Sequence, residues 1–176
     1  FEPRKLVLVD RNENGQFYLQ QELQQRVDAT PLVCCMADVA DRRRMEQLIV
    51  EHAPDILFHA AAYKHVPMME ESPGEAVKNI VLATRNLADL ADRHRIGSFV
   101  MISTDKAVNP TSVMGSCKRL AEMYVQALAD ESDCQFVTVR FGNVLDSAGS
   151  VVPIFREQIA RGGPVTVTHP EMKRYF

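Results

Sequence analysis

From one end to the other, this 176-residue chain alternates short apolar, β-rich runs with longer stretches of helical periodicity. That alternation is the signature of a parallel sheet covered by helices, the Rossmann-like, doubly wound α/β class. Five runs read as strands: Lys5–Val9, Leu32–Met36, Ile56–His59, Ser98–Ile102 and Phe136–Phe141. Each is near-continuously apolar, as a strand buried on both faces must be. Helices are expected over Asn14–Val27, Arg42–His52, Glu75–His94 and Ser112–Asp130, with a further helix near Pro153–Arg161 and a short strand Val165–Thr168. In the fourth helix Val113, Cys117, Leu120, Tyr124 and Leu128 recur at helical spacing, and Thr111 or Ser112 can cap its first turn. No repeat or low-complexity linker interrupts the pattern, so a single domain is expected.

With 46% hydrophobic residues and a formal net charge of -3, the chain can bury a real core. No apolar run approaches the roughly 18 residues of a membrane span, and the start FEPRKLVLVD lacks a signal peptide's basic region and cleavage site. A cytoplasmic protein is expected. Basic and acidic residues are interspersed, which argues against a nucleic-acid partner, since phosphate neutralisation needs a clustered Lys/Arg face. Cys34, Cys35, Cys117 and Cys134 have no metal-ligand spacing and read as reduced core residues, so no metal site is expected.

The run Leu6-Val7-Leu8-Val9 ends in Asp10. An acid at the tip of a parallel strand is what a dinucleotide fold uses to bind the adenosine ribose hydroxyls, about 20 residues beyond a glycine-rich turn. No G-x-G-x-x-G occurs in the chain; Asp10 reads equally as the start of a loop. On the dinucleotide reading, the first strand and its phosphate-binding loop are absent. Because that strand is central in the usual order, the sheet should be split and its inner edges unpaired. The isolated chain should then fold poorly or exchange elements with a neighbour.

The densest polar cluster follows the fourth strand. It runs Ser103-Thr104-Asp105-Lys106 and then, after a Pro110 turn, Met114-Gly115-Ser116-Cys117-Lys118 on the next helix. Ligands bind at strand ends in open α/β sheets. Met114 and Lys118, four apart, share the helix face that looks toward them. Taken alone, Thr-Asp-Lys after a strand is a solvated turn, Met114 a core residue and Lys118 an exposed cation.

Five segments carry a resemblance across essentially the whole chain: VLVDRNEN (7–14), FHAAAYKHVPMMEESPGEAVKNIVLATRNL (58–87), STDKAVNPTSVMGSCKRLAE (103–122), RFGNVLDSAGSVVPIF (140–155) and THPEMKRYF (168–176). The chain resembles the polysaccharide-biosynthesis nucleotide-sugar dehydratases within the extended short-chain dehydrogenase/reductases, in particular the UDP-N-acetylglucosamine 4,6-dehydratases. The wider superfamily carries Tyr-x-x-x-Lys, whose phenolate takes a hydroxyl proton during hydride transfer. Here Met114 stands at the tyrosine position, as is typical of this dehydratase subgroup. A thioether exchanges no protons near neutral pH, so another group must remove the sugar's C4 hydroxyl proton.

The resemblance implies an internal redox cycle on the sugar with NAD, or NADP, as the bound cofactor. Thr104, Asp105, Lys106, Met114 and Lys118 match the catalytic positions, with Lys106 as base at C5 and Asp105 as acid at the departing C6 hydroxyl. Those roles call for a lysine with a depressed pKa and a carboxyl with a raised one. Cofactor contacts fall on Asp10, Arg11, Asp38, Val39, the Ala60-Ala61-Ala62 run and Lys118, which matches the lysine on the nicotinamide ribose. Asp10 favours NAD, because a carboxylate repels a 2′-phosphate, whereas Arg11 beside it pulls the other way. Lys64, His65, Asn143, Ser147 and Ser150 match substrate positions, the substrate-binding part is expected to begin at about residue 142, and THPEMKRYF fits the start of a substrate-closing segment. The UDP-sugar enzyme so implied is a homo-oligomer. In many members it is the C-terminal domain of a larger membrane-anchored protein, which would put it at the inner face of the plasma membrane. C5-inverting dehydratases and 4-epimerases share the scaffold, and a non-catalytic dinucleotide-binding module is the alternative of another class.

Overall fold

β1 (Leu6–Asp10) and β2 (Leu32–Met36) pair in parallel, with Leu6 opposite Leu32 and Asp10 opposite Met36. β3 (Ile56–His59) and β4 (Ser98–Thr104) pair in parallel as well, with His59 opposite Met101, and β5 (Gln135–Phe141) lies on the far side of β4. The five strands thus form two sheets, of orders β1-β2 and β3-β4-β5. The division falls where the dinucleotide fold has its central strand. β1 and β3 are nevertheless tied near both ends. Arg4 and Asp55, just before the two strands, form an exposed ion pair at 3.5 Å, and Arg11, just after β1, bonds Tyr63 beyond β3.

This computed structural model describes residues 2–26, 30–144, 150–167 and 169–171. They fall into two compact units, Phe1–Val139 and Arg140–Phe176.

In the first unit the helices form where the periodicity required. α1 spans Glu13–Arg26 and α2 spans Arg42–His52. The Asp41 carboxylate caps α2 by accepting from the Arg44 N–H, and Met45, Leu48 and Ile49 form its buried stripe. The helix expected over Glu75–His94 is continuous from Pro73 to Arg93 but is built of three pieces, α4 (Pro73–Ala76), a π-helical segment (Val77–Leu82) and α5 (Ala83–Arg93). α6 (Val113–Ala129) buries Met114, Cys117, Lys118, Ala121, Glu122 and Val125 on one face. The core gathers around Phe99, Ile80, Leu87 and Leu90, all fully enclosed, and Phe99 packs against Phe136 with ring centroids 5.4 Å apart. All four thiols are free, and burial pushes those of Cys34, Cys117 and Cys134 up, away from reactivity.

Four expectations need correction. α3 (Val66–Glu71) forms where only a loop was read; Pro67 sits in its first turn, a position that spends no backbone donor. β4 extends to Thr104, which puts Asp105 at the strand tip. Burial on both faces does not hold for every strand. β4 alternates half-buried and buried residues, whereas Ile56 and Phe58 of β3 and Val137, Val139 and Phe141 of β5 are exposed, as strands lacking a packed layer on one face must be. The strand expected at Val165–Thr168 is absent over Val165–Val167, and Thr168 lies outside the described residues. In the second unit the Gln158 side chain, on α7 (Val151–Ala160), instead accepts from the Thr166 N–H and donates to the Thr166 hydroxyl, both at 2.9 Å, supplying what a partner strand would have given.

Candidate functional site

The carboxyl ends of β1, β2 and β3 open on one cavity of about 260 Å³, lined by Val9, Asp10, Arg11, Ala37, Asp38, Val39, Ala60, Ala61, Ala62, Tyr63 and Asn79. All seven residues read from the sequence as cofactor contacts ahead of α6 meet here. The reason is topological: three parallel strands end at one level, and the chain turns away from each just there. Asp10 accepts the Asn12 N–H at 2.8 Å and keeps an exposed carboxylate at the strand tip. Asp38 is no helix cap, since Asp41 performs that task. Its carboxylate accepts from the Ala40 N–H at 2.9 Å and from Arg11 at 3.0 Å. The Ala40 bond outweighs desolvation and, with Arg11, holds the carboxyl below its ordinary range. Arg11 also donates to the Tyr63 hydroxyl and lies 4.8 Å from the centroid of its ring. Three methyl side chains in a row leave the backbone at Ala60–Ala62 open to close approach.

The proton-transfer candidates gather at the tip of β4. Thr104, at the head of the 3₁₀ turn Asp105–Ala107, accepts from the Lys106 N–H at 3.3 Å and donates to the Asp105 carboxylate at 2.9 Å. The same carboxylate oxygen accepts from the Lys106 ammonium at 3.0 Å. α6 seats directly on this turn. A β-carbon on Gly115 would stand 2.4 Å from the Lys106 carbonyl oxygen, so only glycine allows the approach. The expectation of a raised Asp105 pKa is corrected. Burial does push the carboxyl up, but the bonds from Lys106 and Thr104 outweigh it and leave it below the ordinary value. The site as it stands holds an ion pair at a half-open rim.

Lys118 is not an exposed cation. It is 6% exposed and donates to the Ile102 carbonyl at 2.9 Å. Burial pushes its pKa down to about 8 despite the opposing pull of Glu122. Met114, one turn earlier on the same face, is buried in the core. Beneath them His59, at the end of β3, bonds the Thr84 hydroxyl at 2.9 Å. Burial and then the Lys118 charge push its pKa down to about 3, so the ring is neutral. His59 directly precedes Ala60, so the β4–α6 cluster adjoins the cavity, although none of Thr104, Asp105, Lys106, Met114 and Lys118 lines it.

Of the substrate candidates, Lys64 and His65 are exposed on the segment entering α3. Asn143 and Ser150 belong to the second unit, and Ser147 lies outside the described residues, as do Thr168 and 172–176 of the closing segment. Sequence reasoning missed Tyr63 and Asn79, both on the cavity wall, and gave no role to Ser103, a buried hydroxyl of β4 with no hydrogen-bond partner among the described residues. Asn79 is a buried amide in the π-helical segment, a kind of distortion frequent at functional sites. A polar residue in an apolar helical stretch was the one signal available for it.

Parallel strands ending on an exposed acid, a run of three alanines and a buried helix lysine belong to a dinucleotide-fold protein of the short-chain dehydrogenase/reductase class. A family model described as polysaccharide biosynthesis protein matches residues 1–176, and the chain belongs to that family. It is 50% identical over its full length to the capsular polysaccharide biosynthesis protein CapD of Staphylococcus aureus, of which it spans 30%. It is 31% identical over its full length to a UDP-N-acetylglucosamine 4,6-dehydratase (inverting) of Campylobacter jejuni, spanning 52% of it. A UDP-glucose 4-epimerase of Rickettsia canadensis matches 89% of the chain at 35% identity, over 46% of its own length. Among solved structures, Pen from Bacillus thuringiensis superposes with a TM-score of 0.90 at 32% identity, over 98% of this chain and 54% of Pen. DesIV, a dTDP-glucose 4,6-dehydratase of Streptomyces venezuelae solved with NAD bound, shares the fold at TM-score 0.73 and 17% identity, over 92% of this chain and 63% of DesIV. No helix of the described residues is long and apolar enough to cross a membrane.

Proposed function

We propose that this chain is the dinucleotide-binding part of a nucleotide-sugar 4,6-dehydratase that converts UDP-N-acetylglucosamine to a UDP-4-keto-6-deoxy-N-acetylhexosamine for surface polysaccharide synthesis. One observation carries the reading. Asp105 and Lys106 pair at the tip of β4, against a helix whose buried Lys118 is preceded one turn earlier by Met114 where a proton-exchanging residue would stand in an epimerase. The dehydratase and epimerase relatives both fit the fold, and Met114 favours the dehydratases.

The cavity fits an NAD-type dinucleotide by its chemistry. Its 260 Å³ is near the lower bound of small-molecule pockets, about 300 Å³, and suits the adenosine end. Asp10 is set to accept ribose hydroxyls, and Ala60–Ala62 admit the cofactor against the backbone. Arg11, already engaged by Asp38 and Tyr63, has less charge to offer a 2′-phosphate, which supports NAD over NADP. The cofactor, when bound, supplies the reversible oxidation at sugar C4 and the reduction at C6.

The chain's own groups move the protons. Thr104 donates to Asp105, so it can pass the C4 hydroxyl proton to that carboxylate. This resolves the low Asp105 pKa: the carboxylate begins as acceptor, and becomes the acid only once it has taken that proton. Lys106, whose side chain reaches solvent at the rim, gives its ammonium proton to water before the reaction, and the free amine takes the C5 proton. Asp105 then protonates the departing C6 hydroxyl, water leaves, and Lys106 returns its proton to C5. Two protons are taken and two returned, and the sugar loses one water. Asp105→Asn and Lys106→Ala should each lower kcat by about 100-fold or more with folding and dinucleotide affinity intact. Turnover by either variant at the wild-type rate would refute the assignment.

A further inference from the structure

The first turn of α6 is held from outside its own helix. Glu70, on α3, accepts the Val113 N–H at 2.7 Å, while Ser112 accepts the Gly115 N–H at 3.1 Å. A helix start leaves its first N–H groups without intrahelical partners and carries partial positive charge, so a carboxylate there satisfies a donor and meets a favourable field. Ser112 alone would be an ordinary cap. The second, arriving from another helix, fixes how α3 and α6 sit together.

Two other features make that seat matter. Val113 directly precedes Met114, and Gly115 is the residue packed on the Lys106 carbonyl, where a β-carbon would come within 2.4 Å. A small shift of this turn therefore moves the Asp105–Lys106 pair. Glu70 also lies one short helix beyond His65, the residue that precedes α3 and ends the Lys64–His65 segment.

We infer that Glu70 is a positioning residue: its carboxylate sets the first turn of α6 against the Asp105–Lys106 turn and keeps that pair in register with the Lys64–His65 segment. Glu70 acts through Val113 and transfers no proton itself. The inference rests on the dehydratase reading, in which a misplacement of about 1 Å can cost on the order of 100-fold in rate.

The test compares Glu70→Ala with Glu70→Gln in the purified protein, using UDP-N-acetylglucosamine as substrate. Glu70→Ala is expected to lower kcat about tenfold or more while KM and dinucleotide affinity stay within about twofold. Glu70→Gln keeps a side-chain carbonyl to accept the Val113 N–H and is expected to stay within about threefold of wild type. A lower melting temperature for Glu70→Ala with unchanged kcat would reduce Glu70 to a stabilising cap and overturn the inference, as would equal kcat losses in both variants. Amide hydrogen exchange at Val113–Gly115 needs no turnover: it should accelerate in Glu70→Ala and not in Glu70→Gln. If the wild type dehydrates no sugar, the functional reading fails, and unchanged exchange in Glu70→Ala would then sink the positioning role separately.

Discussion

Replacing Lys118 with methionine should make the folded protein more stable near neutral pH while abolishing turnover. Burial pushes the Lys118 pKa from 10.5 to about 8, which places about 3 kcal/mol of strain in the charged, folded form. Below pH 8 the lysine is protonated in both folded and unfolded chains, and the folded state bears that cost in full. Between pH 8 and 10.5 only the unfolded chain holds the proton, so wild-type stability rises with pH relative to the variant. Above 10.5 the cost is gone. Against this stands the bond to the Ile102 carbonyl at 2.9 Å, whose loss costs about 1–2 kcal/mol. Lys118→Met should therefore be about 1–2 kcal/mol more stable at pH 7, with that advantage reversing across pH 8 to 10.5. Urea denaturation of both proteins at pH 7 and at pH 10.5 measures it. A variant that is less stable at pH 7, with a difference that does not change with pH, would refute the account of a buried, strained ammonium.

His59 should supply part of the acid sensitivity: its pKa is pushed down to about 3 from 6.5, so its contribution is complete above pH 6.5 and lost as pH falls toward 3. His59→Asn should flatten the fall in denaturation midpoint between pH 6.5 and 4, and equal slopes would contradict the burial argument. Gly115→Ala forces a β-carbon to 2.4 Å from the Lys106 carbonyl and should cost about 1–3 kcal/mol in stability as well as turnover; an unchanged melting temperature would count against the close packing. Asp10→Ser should shift the NADP-to-NAD affinity ratio upward by about tenfold, read by calorimetric titration, because the carboxylate that repels a 2′-phosphate is gone. An unchanged ratio would remove Asp10 from the ribose site.

Much of this was legible because parallel strands bury their backbones and so advertise themselves as apolar runs: β1, β2 and β3 end within a residue of where the pattern stops. The Met114–Lys118 spacing likewise fixed a shared helix face, and both residues are buried on it. What stayed illegible depends on partners distant in sequence. Val165-Thr166-Val167 alternates as a strand should, yet Gln158 takes its hydrogen bonds instead. α3 is too short for a period to declare it. Asn79 faces the cavity from a π-helical segment that no sequence period announces. The sign of the Asp105 shift turned on a lysine one residue away, a contest between desolvation and pairing that only geometry decides.

The most direct measurement is the product formed from UDP-N-acetylglucosamine in heavy water, read by NMR and mass spectrometry. The expected product is a 6-deoxy-4-keto sugar carrying one deuterium at C5, delivered by the group that took the C5 proton, and the coupling constants at C5 give its configuration. A C4 epimer that keeps its 6-hydroxyl, or a deoxy product with no deuterium at C5, would contradict it.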